Sequence, residues 1–437
     1  NAETILGIIE KKSTADKHYK FDRLYRNLFN PDFYLGAYGK IYAKEGNMTK
    51  GTDNETIDGF GMKKVNEVIE LMKNEQYHFK PVRRVNIPKK DGSKRPLGIP
   101  SFYDKVVQEI SRSILEAIYE PRFSKSSHGF RPKRSCHTAL KQVKREWTGV
   151  KWVIEGDIKG FFDNIDHDIL LTILNEQIHD GRFLELIRKM LKAGYMEDWV
   201  FHKTYSGTPQ GGIISPILAN IYLNKLDEFV EQVLIPKYET NKKKRKMNTT
   251  YNSINGKMVR LSKKIEELPE SSPTRAELIQ VYKELEIERR NHKVVDEMDS
   301  EFIRVKYVRY ADDFIIGVIG SKELTEQLKN EVAEFLQDRL KLTLSPEKTL
   351  ITNFKDPVKF LGYEMYIQDS NTYLVKRKNG RISRAVNGIP RLMVPKEAIP
   401  KKLEKFMRDG KAVHRKELTN LDIAEIISIY SAEVRGL

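Results

Sequence analysis

A pair of adjacent aspartates, Asp312 and Asp313, is the residue pattern around which this chain is organised. It stands between two stretches rich in β-branched and aromatic residues, 302–309 and 314–319, which predict two strands joined by a tight hairpin. Neighbouring carboxylates repel each other, and hard oxygen donors of this kind suit Mg²⁺. A bare Asp-Asp dipeptide is more often a solvated turn, so the metal interpretation depends on what else the chain supplies.

A third carboxylate, Asp157, follows directly on an apolar strand predicted to begin at Trp152. A carboxylate in that place is either paired or bound to a metal. Nucleotidyl transfer with two metal ions needs carboxylates from separate strands that converge on two cations about 4 Å apart. Asp157 and the Asp312-Asp313 pair meet that requirement. By contrast, Asp163 and Asp166 next to a helix start are predicted to be turn and cap residues.

Basic side chains that could hold a triphosphate crowd a predicted hairpin over 82–100. Arginine and lysine are natural phosphate partners, but a cationic hairpin is equally a solvated sheet edge that resists strand pairing. The residues alone leave both interpretations open. A Gly-rich loop over 205–216 adds a place where a nucleotide or another backbone can approach closely.

The overall composition points to a polyanionic partner. The chain has 437 residues with a net charge of +16, which favours nucleic acid, although a membrane surface would also attract it. No apolar run approaches the roughly 18 residues of a spanning helix. The single cysteine, Cys136, excludes internal disulfides and cysteine-based zinc sites and fits a reducing cytoplasm.

The remaining pattern predicts the elements that must position these residues. Phe21 to Phe29 show helical spacing ended by Pro31, and the aromatic-rich stretch after it favours core packing over base stacking. Residues 358–365 predict a strand with an embedded glycine. The charged stretch 236–300 is predicted to be inserted between core elements, either as a solvated helical pair or as a contact for a nucleic-acid backbone. Further helices are predicted at 62–74, 104–119, 136–147 and 322–340.

Several motifs together resemble a known family. Tyr310-Ala311-Asp312-Asp313 resembles the Y-x-D-D box of reverse transcriptases, and Gly207-Thr208-Pro209-Gln210-Gly211 is similar to their nucleotide-pocket loop. Phe360-Leu361-Gly362-Tyr363 resembles their primer-grip hairpin. The stretches His128-Gly129-Phe130-Arg131-Pro132 and Arg95-Pro96-Leu97-Gly98-Ile99-Pro100 are similar to bacterial group II intron maturases in particular. The resemblance covers roughly residues 60 to 365 in the family's order.

The resemblance implies an α+β right-hand polymerase fold with fingers and palm, in which helices flank an antiparallel palm sheet. The implied parts are a helical N-terminal extension (1–60), fingers (61–150, with a part returning before the palm helices), a first palm part (151–235), a basic helical insertion (236–300), a second palm part with catalytic hairpin and primer grip (301–378) and the start of a truncated thumb (379–437).

The resemblance also implies roles for individual residues. Two Mg²⁺ ions, with Mn²⁺ as a possible substitute, would be held by Asp157, Asp312, Asp313 and the carbonyl of Ile158. The incoming nucleotide would contact Arg83, Lys89, Arg95, Phe161, Gln210 and Lys348, with Phe161 as the gate against a 2′-hydroxyl and Lys348 as a general acid. The primer grip would be Phe360, Leu361, Gly362 and Tyr363. The basic run Lys242, Lys243, Lys244, Arg245 and Lys246 is the candidate for RNA contact.

The implied function is that of an RNA-directed DNA polymerase of a bacterial group II intron, which also binds intron RNA as a splicing maturase and in retrohoming. Its partners would be intron RNA, an RNA template, a DNA primer and dNTPs, with no membrane partner and an undetermined oligomeric state. The expected location is the bacterial cytoplasm, at the nucleoid during activity. The alternatives are a retron or diversity-generating reverse transcriptase, and an RNA-binding splicing factor with an unused polymerase fold.

Overall fold

A computed structural model describes the fold of this chain. It describes the whole chain except residues 45, 89–91, 93, 198–199, 205, 209–210, 298, 371–372, 377, 379–381, 385, 409 and 436–437, and it gives the backbone alone at residues 95, 382, 383 and 405. Among the described residues, none of the helices combines the length and the apolar character that crossing a membrane requires.

Helices and short strands alternate along the chain. The helices are α1 (Ala2–Ala15), α2 (Pro31–Tyr42), α3 (Met62–Lys73), α4 (Phe102–Tyr119), α5 (Cys136–Glu146), α6 (Phe161–Asn164), α7 (His167–Asn175), α8 (Gly181–Leu191), α9 (Ser215–Phe229), α10 (Ile235–Tyr238), α11 (Thr249–Glu267), α12 (Pro273–Asn291), α13 (Lys322–Leu340), α14 (Ala398–Leu403) and α15 (Ile423–Arg435). The strands are β1 (Val82–Pro88), β2 (Lys94–Ile99), β3 (Trp152–Asp157), β4 (Tyr195–Glu197), β5 (Val200–His202), β6 (Arg304–Tyr310), β7 (Asp313–Ile319), β8 (Leu350–Asn353), β9 (Val358–Phe360), β10 (Tyr363–Gln368), β11 (Leu374–Lys376), β12 (Ile382–Arg384), β13 (Ile389–Met393), β14 (Met407–Arg408) and β15 (Lys411–Ala412).

The central sheet is antiparallel with strand order β6-β7-β3-β8. Its strands carry apolar residues on both faces, because both faces are covered by helices. Ile154 and Ile316 belong to the core cluster that includes α9 and α13, whereas Val153 and Ile315 pack in a second cluster with α5 and Trp147. This sandwich fixes the sheet that ends at the aspartates, and it agrees with the predicted antiparallel palm sheet flanked by helices.

A second sheet has four strands in the order β2-β1-β4-β5. β1 and β2 form the predicted antiparallel hairpin, with Arg83 opposite Ile99, and β1 runs parallel to β4. This second sheet therefore combines strands that precede β3 with strands that follow it. The predicted helices at 62–74, 104–119, 136–147 and 322–340 are confirmed as α3, α4, α5 and α13.

The N-terminal region departs from the predicted single helix over 21–29. Only Tyr25–Phe29 is helical there, as a 3₁₀ helix, and Pro31 begins α2 after Asn30 caps it through the backbone N–H of Asp32. Proline is favourable at a first helical position because its missing N–H would have no partner there. The core interpretation holds for Tyr34, which is fully buried and donates to the Leu28 carbonyl at 2.9 Å, whereas Tyr42 is exposed.

The stretch predicted to be inserted contains two helices that contact each other, α11 and α12. Its two ends meet, since the Asn248 N–H donates to the Val294 carbonyl at 3.0 Å and Met247 forms an isolated bridge with Val295. The helical pair thus projects from one point of the chain.

The predicted continuous strand over 358–365 is wrong in its middle. The chain reverses at Leu361 and Gly362, which both have positive φ (51° and 79°), so β9 and β10 form a tight hairpin. The sheet of this hairpin continues beyond residue 378, because β13 pairs with β10.

Candidate active site

Asp157 and Asp313 lie directly opposite each other across two neighbouring strands. The register of β3 against β7 pairs Trp152 with Val318 at one end and Asp157 with Asp313 at the other. Opposed residues of an antiparallel pair have Cβ atoms about 4.5–5.5 Å apart. The fold therefore brings together two carboxylates that are far apart in the sequence, at the end of the sheet where Asp312 forms part of the turn.

The turn that carries Asp312 is a two-residue connection, because Tyr310 pairs with Asp313. Ala311 has a φ of 56°, in the left-handed region that L-residues enter at a cost of roughly 1–2 kcal/mol. Its carbonyl accepts a hydrogen bond at 2.9 Å from the Arg309 guanidinium, Nη1. A buried charged donor therefore holds the strained residue next to the aspartates.

Arg309 and Asp227 form a fully buried ion pair beneath this turn, with both side chains 0 % exposed. The guanidinium donates twice to Asp227, from Nε at 2.7 Å and from Nη2 at 2.6 Å, and the Tyr307 hydroxyl also donates to Asp227 at 2.8 Å. Burial of two charges is tolerated only when they are paired and hydrogen-bonded. Sequence reasoning missed this pair, although an arginine inside an apolar strand and an aspartate beside the buried stripe of α9 were the signals that could have revealed it.

The segment 126–129 supports the hairpin of β6 and β7 and is called the brace below. The Arg309 N–H donates to the Ser126 carbonyl at 2.8 Å, and the His128 N–H donates to the Arg309 carbonyl at 2.9 Å. A Cβ at Gly129 would overlap the backbone nitrogen of Ala311, so only glycine allows this approach. The Asn220 amide of α9 donates to the Gly129 carbonyl at 2.8 Å. The histidine-glycine motif thus supports the turn rather than facing a substrate.

The surroundings of Asp313 raise the pKa of its carboxyl group. Burial first, and then the neighbouring charges of Asp312 and Asp157, raise the pKa of Asp313 to about 6, while the Lys348 ammonium opposes the shift. Asp313 is exposed when the whole residue is considered, but the surrounding protein still restricts the contact of its carboxylate with water. Lys348 Nζ lies 3.2 Å from Asp157 Oδ2, so a positive charge already stands beside the cluster.

The loop that carries Lys348 is bonded to the end of β3. The Asp157 carbonyl accepts from the Ser345 N–H at 2.8 Å, and Ile158 forms an isolated bridge with Leu344. The position of the Lys348 ammonium is therefore coupled to Asp157 through both backbone and side chain.

The donor set fits a divalent cation of the Mg²⁺ type. Carboxylate oxygens are the ligands such ions take. Burial and then the neighbouring charges disfavour the ionised form of Asp313 and raise its pKa, and a cation would stabilise that form. Within the part of the chain that the structure describes, no group of three or more His, Cys, Asp or Glu side chains is already gathered at metal-binding distances. The residues are suited to the ion by chemistry and by strand register.

Comparison with known proteins decides the family. The family model described as "Reverse transcriptase (RNA-dependent DNA polymerase)" matches residues 87–250 and 288–365, more than half of the chain. The "Group II intron-encoded protein LtrA" of Lactococcus lactis subsp. cremoris is 44% identical over 99% of this chain and 72% of its own length. The chain belongs to the group II intron-encoded reverse transcriptases. It is an RNA-directed DNA polymerase and an intron maturase by family, with the right-hand polymerase fold.

Two further relatives are similar intron-encoded proteins. The "Uncharacterized 91 kDa protein in cob intron" of Schizosaccharomyces pombe is 38% identical over 100% of this chain and 53% of its own length. The "Putative COX1/OXI3 intron 2 protein" of Saccharomyces cerevisiae is 39% identical over 76% of this chain and 38% of its own length. These similarities favour the intron-encoded branch of the family over retron or diversity-generating enzymes.

The structure describes only some of the residues that are predicted to contact the nucleotide in this reverse transcriptase. The Arg83 guanidinium donates to the Lys50 carbonyl from Nε at 3.1 Å and from Nη2 at 2.9 Å. Phe161 begins α6 and is only 2 % exposed. Lys89 and Gln210 lie outside the described residues, and so does the side chain of Arg95. The gate and triphosphate roles stay predictions.

The loop predicted to border the nucleotide approaches other backbone or side-chain atoms closely at two glycines. Gly207 has a φ of 87°, and a Cβ there would lie 2.7 Å from the Phe162 carbonyl oxygen. Gly211 has a φ of 101°, and its Cβ would lie 2.6 Å from Leu97 of β2. Both positions also favour glycine by their positive φ, so the structure explains these two glycines of the loop.

The hairpin of β9 and β10, the predicted primer grip, contacts the helix α5. The Tyr363 hydroxyl lies 3.3 Å from His137 Nε2 on α5. Because segment 126–129 leads into α5, the catalytic turn and the hairpin share one support.

The basic run at 242–246 is largely engaged inside the protein. Lys242 Nζ contacts Asp299 at 3.0 Å and Glu301 at 2.9 Å, and Lys246 Nζ contacts Glu301 at 3.1 Å. Arg245 donates to the Gly149 carbonyl at 2.8 Å. These contacts tie the start of the insertion to Asp299 and Glu301 at its end and to Gly149, so three side chains of the run have partners within the protein.

Proposed function

We propose that this reverse transcriptase extends a DNA primer on an RNA template at Asp157, Asp312 and Asp313 with two Mg²⁺ ions. The observation that carries the proposal is the opposition of Asp157 and Asp313 across β3 and β7. Bound Mg²⁺ ions would lower the pKa of the primer 3′-hydroxyl and neutralise the pyrophosphate that leaves. The three carboxylates, with the Ile158 carbonyl, are the ligands proposed to hold them.

Lys348 has a second task in this proposal. Its ammonium stands beside Asp157 in the absence of substrate, and it would turn to the triphosphate once cations replace it there. A protonated lysine near the bridging oxygen can then donate a proton to the pyrophosphate. Lys348 is exposed enough for such a movement.

The remaining nucleotide contacts are proposed on the family resemblance and on position in the fingers hairpin. Arg83 and Arg95 of β1 and β2, with Lys89, would bind the triphosphate, and Phe161 and Gln210 would border the sugar and base. Arg83 would have to exchange its bonds to the Lys50 carbonyl for the phosphates.

Intron RNA, template, primer and dNTPs are the proposed partners, and the net charge of +16 supports a polyanion. Within the basic run, Lys243 and Lys244 are the proposed RNA contacts, since the other three members have partners within the protein. A cytoplasmic location, at the nucleoid during activity, goes with this function.

Primer extension on matched RNA and DNA templates, with and without Mg²⁺, tests the proposal. Wild type should extend on RNA only with a divalent cation, and Mn²⁺ should substitute for Mg²⁺. Asp313→Asn should lower the rate by two to three orders of magnitude or more, because charge stabilisation at the reacting atoms is lost. Undiminished extension by Asp313→Asn would contradict the assignment.

A further inference from the structure

A cavity of about 650 Å³ lies where the insertion meets the far end of the palm sheet. Its walls include segment 148–151, residues 244, 245, 247, 293–295 and 297 at the base of the insertion, and residues 384, 387 and 388. The strand β3 begins at this end and finishes at Asp157. At about 3.3 Å per residue the cavity lies roughly 17 Å from the catalytic aspartates along the strand. A ligand here is not the incoming nucleotide.

The lining is strongly cationic. Two of its side chains are acidic, Glu297 and Asp369, and both contact Lys293, the latter at 2.8 Å. Six lining side chains are basic, so a formal excess of four positive charges faces the cavity; these are Lys151, Lys244, Arg245, Lys293, Lys355 and Arg384. Such an excess favours an anion, and phosphate is the anion that lysine and arginine bind best.

Hydrogen bonds between the lining segments hold the cavity in shape, so it is not a gap left by loose packing. Arg245 donates to the Gly149 carbonyl at 2.8 Å, and the Gly149 N–H donates to the Gly388 carbonyl at 2.8 Å. Arg384 donates to the His292 carbonyl at 2.8 Å. These bonds hold three separate segments around one space without filling it.

Part of the lining is apolar. Val150 and Ile319 are buried, and Phe302 and Ile367 are partly buried against the same core cluster. Val294 lines the cavity while remaining 43 % exposed, so it stands at the edge. An apolar surface next to an excess of cations matches a planar base joined to a phosphate, and the volume lies within the 300–1,000 Å³ range of small-molecule sites.

We propose that this cavity binds one nucleotide of a single-stranded nucleic acid, with the base against the apolar wall and the phosphate at the lysines. The site is separate from catalysis and does not depend on the polymerase proposal. It would let the protein hold one part of a nucleic acid while copying another.

The test is binding of a fluorescein-labelled single-stranded 12-mer to the full chain, followed by anisotropy over a series of salt concentrations. A saturating RNA–DNA primer–template first fills the catalytic cleft. A comparison of RNA and DNA 12-mers of the same sequence shows whether the cavity binds a nucleotide of RNA, of DNA or of both. Wild type should bind at least one of them under these conditions.

Two variants test the proposed phosphate contact and the proposed base contact separately. Lys355→Ala should weaken binding and reduce the salt slope by roughly 0.7, the value for one phosphate contact to a single strand. Val294→Trp should weaken binding without changing the slope, because it fills space and carries no charge. The matched controls are Lys322→Ala on α13 and Val281→Trp on α12, a valine that is also 43 % exposed. Both controls should bind as wild type.

Binding by Lys355→Ala and Val294→Trp that equals wild type, or equal losses in the controls, would overturn the proposal. Primer extension measured on the same samples keeps the two proposals apart. The cavity variants should extend primers at the wild-type rate, whereas a wild type that binds the 12-mer but never extends a primer contradicts only the polymerase proposal.

Discussion

At the scale of single residues, the site depends on negative charges held close together. Asp313 shows the consequence most clearly, since burial and the charges of Asp312 and Asp157 raise its pKa to about 6. Charged carboxylates that destabilise one another in the metal-free protein are poised to gain from a cation. Function and stability therefore make opposite demands on the same side chain.

Asp313→Asn should stabilise the metal-free protein at pH 7.5. The folded pKa of about 6 lies above the unfolded value near 3.9, so ionisation costs folding free energy above that lower value. The cost is small at pH 4, grows as pH rises towards 6 and is complete above it. Thermal unfolding should show the variant roughly 2 °C above wild type at pH 7.5 and close to it at pH 4.

The control for this measurement is Asp338→Asn, an exposed aspartate on α13. It should leave the unfolding temperature unchanged at both pH values. A gain for Asp313→Asn that is equal at pH 4 and pH 7.5 would mean that charge repulsion is not its cause.

At the scale of elements, the sequence predicted the parts that carry a local signal. The palm strands, the hairpin of β6 and β7 and the helices α3, α4, α5 and α13 follow from periodicity and apolar runs. The residue pattern of 358–365 predicted one strand, and only the family resemblance indicated a hairpin there, because a non-glycine residue with positive φ such as Leu361 leaves little trace in composition. The Arg309–Asp227 pair was missed because its partners lie 82 residues apart and meet only through packing.

The ion pair gives a prediction for stability. Arg309→Met and Asp227→Leu should each lower the free energy of unfolding by about 3–5 kcal/mol, because each leaves one charge buried without its partner. The double variant should cost clearly less than the sum of the two. Urea unfolding measures all three, with Lys322→Met of the exposed pair with Glu326 as a control that should change by less than about 1 kcal/mol.

Additive losses in the double variant would show that the two side chains act independently. In that case the Arg309–Asp227 ion pair would not be what holds the turn in place.

The brace at 126–129 gives a prediction for activity. Gly129→Ala places a Cβ against the Ala311 backbone and must push the catalytic turn away. A displacement of 1 Å at reacting groups costs on the order of 10²-fold in rate, so primer extension should fall by about that factor. Gly36→Ala, where a Cβ meets nothing within 4 Å, is the matched control and should extend primers at the wild-type rate. Equal activity of the two variants would contradict the role of the brace.

At the scale of the whole molecule, the polymerase core and the insertion are distinct. The family model leaves 251–287 unmatched, an interval that falls within α11 and α12. The chain at the base of the helical pair is already closed by the bond between Asn248 and Val294. The core should therefore form without the pair.

Replacement of residues 251–287 by a short Gly-Ser linker should preserve cooperative unfolding and primer extension. Loop-length changes of this kind carry only a small entropic cost when the ends are close. Gel filtration, thermal unfolding and primer extension of the shortened protein are the measurements. An unfolded or inactive product would show that the helical pair is part of the polymerase core.

The most direct test of the central claim is anomalous X-ray scattering from Mn²⁺ in crystals of the protein with a primer–template and a non-hydrolysable dNTP analogue. We expect two Mn²⁺ positions about 4 Å apart, with the carboxylates of Asp157 and Asp313 both bound to metal. Metal bound at the Asp312-Asp313 turn alone, with the Asp157 carboxylate still turned to Lys348, would contradict it.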